Sequence, residues 1–384
     1  MANANAPFTP AIVNIALGSL APTSDAFGRC LIIGPKATNS LAGERTKSFL
    51  TYQDAVLWGP SPGAGYISAA MLKAVGVAFS QTNVPAQGVL VGNVDLVATE
   101  SYSEALVAIT LIDPVFYLVT ILSRVSADIE DVSQTVEWMN VKADAETNSV
   151  PFKYCFFCAQ TADADVLTGT MPAGLADYVG REYTNISYSP TSTEWLDVAH
   201  QSQLSVDLAT ASPGWVLWSA KAVASYPAGS ITTAQRDFAK ANNVDLMLVT
   251  GNTTNGLTSV GFGTNGAGRQ ISEVVTAAWL ATNFQVGIDN LFVQQAVANI
   301  PITLTASGQQ AVVGVLQGVT DTAIQAGSVR ATDDNGAPGF TITAETISGA
   351  DRTAKQMRFS VAVTVPVSAN QIVVNLATST TSVV

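Results

Sequence analysis

Residues 12 to 17, IVNIAL, alternate so that Val13, Ile15 and Leu17 share one face and Ile12, Asn14 and Ala16 the other. Pro7, Pro10 and Pro22 bracket this piece, which predicts an extended N-terminal arm over residues 1–25. From Cys30 the pattern becomes CLIIG, a buried strand. A helical stretch follows, beginning near Pro62 and running through GYISAAMLKAVGVAF, and then a second strand, GVLVGNV. Pro85 and Gly88 mark the turn between helix and strand.

Across 101–250 strand and helix patterns alternate. FYLVTIL, FKYCFFCAQ, YTNISYS, GWVLWSA and DLMLVT read as strands. DIEDVSQTVEWMNVKA, a stretch reaching Val179, EWLDVAHQSQLSVDLA and TTAQRDFAKANN read as helices. Apolar strands separated by helices predict a doubly wound, largely parallel α/β domain. After Gly268 come two helical patterns, roughly 270–286 and 308–326. Beyond them Phe359, Val361, Val363 and Val365 alternate with Ser360, Ala362 and Thr364. This predicts a separate α+β unit. The last segment, QIVVNL, puts Ile372, Val374 and Leu376 on one face with Val373 between them, then dissolves into threonine and serine. Both termini therefore carry a strand with no partner beside it in sequence.

Charge changes this picture. Only 12% of the 384 residues are charged while 48% are apolar, about half the charge usual for a globular protein, so something must cover a weakly charged surface. A membrane is a poor candidate, because the most apolar run, ALVAITLIDPVFYLVTIL, is split by Asp113-Pro114. Other protein chains are the alternative cover. The net charge of −12 opposes binding to a phosphate backbone, and no basic cluster offsets it. The N-terminus has neither basic residues nor an apolar signal core, which suggests maturation in a cytoplasm. Three cysteines, Cys30, Cys155 and Cys158, are too few for a disulfide framework.

Four motifs suggest chemistry, and each is weak. Gly261, Gly263 and Gly266 spell G-x-G-x-x-G. The strand at 245–250 is separated from them by GNTTNGLTS, and the acidic candidate Asp289 follows a helix, where a dinucleotide site needs it after a strand. Gly59-Pro60-Ser61-Pro62-Gly63 matches a nucleophile elbow but flanks its serine with prolines, and the single histidine, His200, is the only candidate imidazole base. Cys155 and Cys158 lie in a strand, where positions three apart face opposite ways. Asp163, Asp165, Asp333 and Asp334 lack a calcium-loop spacing and read as turn residues. No catalytic residue, cofactor or metal site is expected.

Four segments carry a resemblance. They are FGRCLIIG, the stretch TYQDAVLWGPSPGAGYISAAMLKAVGVAFSQTNVPAQGVLVGNV, NGAGRQISEVVTAAWLATNFQVGIDNLF, and ADRTAKQMRFSVAVTVPVSANQIVVNL. In these the chain resembles contractile-tail sheath proteins of bacteriophages, in the shorter branch of that family. The resemblance implies an α/β domain at 96–250 combined with an α+β sheath core in two parts, 26–95 and 251–370. Arms at 1–25 and 371–384 complete it. It further implies a structural, non-enzymatic subunit that forms homo-oligomeric hexameric rings stacked as a helical sheath. Its partners would be the tail tube protein and the baseplate and tail terminator proteins, with no nucleic acid and no membrane. Such a sheath is part of the virion, is assembled in the host cytoplasm, and contracts to drive the tube and deliver the genome. Ile12, Val13, Ile15, Leu17, Ile372, Val373, Val374 and Leu376 would then be intersubunit arm residues. The competing reading is a doubly wound α/β enzyme with a ligand at the strand C-terminal ends of 101–250.

Overall fold

The computed structural model describes residues 27–36, 45–59, 67–141, 153–209, 216–219, 222–224, 226, 230–250, 257–354 and 357–366. Its centre is an eight-stranded sheet of β1 (Cys30–Pro35), β2 (Thr46–Phe49), β3 (Val89–Val94), β4 (Leu118–Ile121), β5 (Phe156–Thr161), β6 (Thr184–Tyr188), β7 (Val244–Thr250) and β8 (Leu257–Val260), in the order β2-β3-β1-β4-β5-β6-β7-β8. Neighbours from β3 through β7 are parallel. β2 and β8 close the two ends as antiparallel edges.

The strands are buried on both faces, as their unbroken apolar runs require. Leu31, Ile33, Val119, Ile121, Phe157 and Leu246 share one core with α3 (Tyr102–Ile112) and α4 (Ser126–Val141). On the other face Ile32, Val89 and Val91 meet α2 (Ala69–Phe79), which follows the short α1 (Tyr52–Leu57). Cys30, Leu118, Phe156 and Cys158 meet α5 (Leu196–Leu208) and the first half of α7 (Ile271–Val297). A further helix beside the sheet, α6 (Thr233–Ala241), puts Ala239 into the first core.

Local chemistry explains several boundaries. Capping boxes start α1 at Thr51/Asp54, α3 at Ser101/Glu104 and α6 at Thr232/Gln235. Helix α3 ends at Asp113, before Pro114, so the apolar run 105–122 becomes a helix and a strand. No helix among the described residues is long and apolar enough to cross a membrane. The turn into β3 closes with Gly88 N–H donating to the Pro85 carbonyl at 3.0 Å, with Gly88 at φ +73°.

Beyond the sheet, α7 runs antiparallel to α8 (Ala306–Gln325), where Gly287 allows a close approach to Val315. α8 in turn packs on a two-stranded antiparallel sheet of β9 (Phe340–Ala344) and β10 (Phe359–Val363), linked through α9 (Gly349–Ala354).

Four expectations change. GWVLWSA forms no strand among its described residues 216–219, because Trp218 turns inward against Phe156 and His200. The helix expected up to Val179 is two 3-10 turns, Ala164–Leu167 and Ala173–Tyr178, interrupted by Gly169 at φ +93° and Pro172. The loop expected before Gly261 contains β8. The helix expected to end near 286 extends to Val297, and its first half belongs to the sheet's own core, so the C-terminal α+β part is not a separate core.

Candidate functional site

β8 runs directly into Gly261, whose N–H donates to the Leu246 carbonyl at 2.9 Å. The glycine loop that follows is fully occupied by its own protein. Phe262 and Gly263 donate their N–H groups to Asp245 Oδ1, both at 2.8 Å. Gly266 N–H donates to the Thr184 carbonyl, and the Gly266 carbonyl accepts from Gly180 N–H and from Asn243 Nδ2. A Cβ on Gly266 would stand 2.2 Å from the Tyr178 carbonyl oxygen, so glycine is needed for close packing. A phosphate cradle needs free amide donors; here they hold the loop to the ends of β6 and β7.

The remaining chemical candidates are also absorbed by the fold. Cys155 and Cys158 lie on opposite faces of the sheet, in different cores. Burial pushes the thiol of Cys30 up to about 12 and that of Cys155 up to about 11, and raises Cys158 well above its ordinary value. None of them supplies thiolate at neutral pH. His200 is buried, with Nε2 3.1 Å from the Trp218 carbonyl oxygen. Of the elbow motif only Gly59 is among the described residues. No cluster of three or more metal-ligating side chains occurs among the described residues.

An α/β sheet of this kind would place a ligand at the C-terminal ends of its strands. That position is filled beyond β4. Arg124 grips Asp197 with two hydrogen bonds of 2.9 Å and lies 4.7 Å from the centre of the Trp195 ring, while the Asp197 side chain is wholly buried. Beside it Gly34 is packed so tightly that a Cβ would meet Leu122 Cδ1 at 2.6 Å and Met71 Cε at 2.8 Å. A cavity of about 310 Å³ does open past β6 and β7, lined by Tyr188, Glu194, Tyr226 and Gln235 among others. Several of its polar groups are bonded within the fold. Glu194 accepts from Ser189, Gln235 Oε1 accepts from Thr232 N–H, and the Tyr226 hydroxyl accepts from Trp195 N–H.

Two surfaces are built for contact. β9 and β10 pair only with each other among the described residues. Glu345 N–H donates to the Arg358 carbonyl and Thr364 N–H to the Gly339 carbonyl. The alternation of an antiparallel ladder then turns the N–H and C=O groups of Phe340, Ile342 and Ala344 outward on one edge, and those of Phe359, Val361 and Val363 outward on the other. Their side chains are half-buried against the helices, so both edges keep a packed inner face and, among the described residues, an open row of backbone groups. The second surface is the tip of the α7–α8 hairpin, which exposes Phe292, Val293, Val297 and Ile300; no charged residue occurs between Asp289 and Asp321. The periodicity that named β10 as a strand did not reveal that it pairs with β9 in a sheet of only two.

The expected arm residues Ile12, Val13, Ile15, Leu17, Ile372, Val373, Val374 and Leu376 lie outside the described residues.

No protein-family model matches the chain, and no curated protein matches it in sequence. Solved structures do match its fold over nearly its whole length. One is the helical sheath of the anti-feeding prophage in its contracted state, determined by electron cryomicroscopy, at 10% identity and a TM-score of 0.65. The match covers 99% of this chain and 100% of that one. Another is a chain of the sixfold-symmetrised baseplate of the same prophage, at 13% identity and a TM-score of 0.62, covering 96% and 97% of the two chains. The chain therefore has a contractile-sheath fold.

Proposed function

We propose that the protein is the sheath subunit of a contractile tail, assembling as stacked hexameric rings in a helix around an inner tube. The observation that carries this reading is the end-to-end correspondence of its fold with a contracted helical sheath, both chains being covered almost completely. The open edges of β9 and β10 support it physically. They are acceptors for extended segments, and the apolar alternation at 12–17 and 372–376 supplies segments of that kind. Arms donated from one subunit to the two-stranded sheet of another would link bodies through backbone hydrogen bonds while leaving the angle between bodies free. A repeated heterologous contact of this sort builds an open helix.

Contraction then becomes a rotation of subunit bodies into contacts that bury more surface, with the arms holding the lattice together throughout. The tube protein, the baseplate and the terminator would be the other partners. The phage virion would be the setting and genome delivery the outcome. An enzyme reading gains nothing from the sheet's central crevice, because Arg124, Asp197, Leu122 and Met71 fill it.

The test is negative-stain electron microscopy of the purified full chain at high concentration, beside truncations lacking residues 1–20 or 371–384. Tubes or stacked rings of sixfold symmetry are expected from the full chain. The truncations are expected to give folded, soluble bodies without tubes. Normal tubes from either truncation would remove the arm mechanism, and small uniform particles whose melting temperature rises with a small ligand would favour an enzyme.

A further inference from the structure

Asp245 is the second residue of β7, wholly buried, and forms no ion pair with a lysine or arginine among the described residues. Its hydrogen-bond partners are uncharged donors. Oδ1 accepts from Phe262 N–H and Gly263 N–H at 2.8 Å, and Oδ2 accepts from Asn185 Nδ2 at 2.9 Å. The same Asn185 Nδ2 donates its other hydrogen to the Thr264 carbonyl at 2.8 Å. Gly263 in turn accepts from Ile271 N–H, the first residue of α7, at 3.2 Å. One carboxylate and one amide therefore tie the sheet to the loop from which the α7–α8 hairpin starts.

We propose that this joint is a proton-operated latch, in which Asp245 and Asn185 exchange hydrogen-bond roles when the carboxylate takes up a proton and the tie from Asn185 to Thr264 is released. The exchange follows from the hydrogen-bonding inventory once the new O–H faces Asn185. A proton arriving from solvent on Oδ2 makes that oxygen a donor, and an amide NH2 cannot accept it. The Asn185 amide must turn to offer its oxygen, which takes Nδ2 away from Thr264. The bonds from Phe262 and Gly263 also weaken, since their acceptor is no longer charged.

The environment places this event within reach of mild acid. Desolvation raises the Asp245 carboxyl to about 6, opposed by the hydrogen bonds from Gly263, Asn185 and Phe262. The titratable groups that interact with it electrostatically are the Tyr178 hydroxyl, from the 3-10 turn, and the Cys158 thiol, from β5; burial raises both, so both stay neutral. The sign of the linkage is distinctive. A carboxyl held above its unfolded value gains stability for the fold as the pH falls through about 6, because the buried charge disappears. The latch therefore loosens locally while the protein as a whole does not weaken.

The experiment is hydrogen exchange by mass spectrometry on the full chain from about pH 7.5 to about pH 5, corrected for intrinsic exchange rates, with melting temperature followed in parallel. In the wild type, protection at Phe262 and Gly263 is expected to drop several-fold through about pH 6, with no fall in melting temperature. Asp245→Asn, a neutral isostere, should show the acid-state protection at every pH with no inflection. Asn185→Ala removes one donor from the carboxylate and should move the wild-type inflection to higher pH, a result that decides the matter even if Asp245→Asn does not fold. A flat wild-type profile, an inflection that survives in Asp245→Asn, or an unmoved midpoint in Asn185→Ala would overturn the latch. None of these results depends on tube formation, so the latch and the sheath reading stand or fall separately.

Discussion

Replacing Val361 by proline separates the fold of the body from its capacity to assemble. The Val361 N–H points away from β9, so its loss removes no bond of the existing ladder, and proline keeps most of the volume that valine packs against the hairpin. The body should lose less than about 1 kcal/mol. An incoming strand, however, loses one backbone donor worth about 1 kcal/mol and meets the pyrrolidine ring where it must approach. A total of about 1.4 kcal/mol per contact raises the critical concentration for assembly about tenfold. Light scattering and sedimentation across a concentration series measure that threshold, and circular dichroism with thermal melting reports the body. Ala362→Pro is the control, because its N–H faces β9 and its loss should open the two-stranded sheet and lower the melting temperature. Assembly of Val361→Pro at the wild-type threshold, with the proline present and the body intact, would refute strand addition at the β10 edge.

Two further outcomes follow from buried charges. Asp197→Ala leaves Arg124 without its bidentate partner and should cost about 3–5 kcal/mol in urea unfolding, whereas the apolar pair Arg124→Met with Asp197→Leu should recover most of it; a single-variant loss under about 1 kcal/mol would mean that the pair is solvated. Lys153 is buried, donates from Nζ to the Pro114 carbonyl, and is held down to about 8 by desolvation. Its folded state releases the proton more readily than the unfolded chain, so stability should rise as the pH climbs from about 8 towards about 10.5. Lys153→Met should be more stable than wild type at pH 7, by up to about 3 kcal/mol before the loss of the Pro114 bond, with the advantage shrinking across that window; a difference independent of pH would contradict it.

How far the sequence announced this structure depends on the range over which each signal acts. Local patterns were legible: the alternation at Phe359, Val361 and Val363, the Pro85–Gly88 turn, the Asp113-Pro114 break, and the cysteines on opposite faces of a strand all appear as read. Signals set by tertiary contacts were not. LTSV is too short and polar to read as a strand, and becomes β8 because β7 offers it an edge. GWVLWSA has the apolar content of a strand, yet its tryptophan is taken by Phe156 and His200. The latch carried one trace, an aspartate inside the otherwise apolar strand VDLMLVT, but the donors that justify it come from residues 185, 262 and 263.

The filled crevice and the open two-stranded sheet argue for the same division of labour. In an α/β enzyme the C-terminal ends of the strands are kept free for a ligand, and loops there tolerate strain for the sake of chemistry. Here the corresponding ground beyond β1 and β4 is filled by a bidentate ion pair and a glycine pressed against Leu122 and Met71. Among the described residues, the outer edges of β9 and β10 carry backbone groups that a backbone from elsewhere can complete. On the proposed sheath reading, a filled central crevice and strand edges left open among the described residues serve one division of labour: the body packs, and the edges connect.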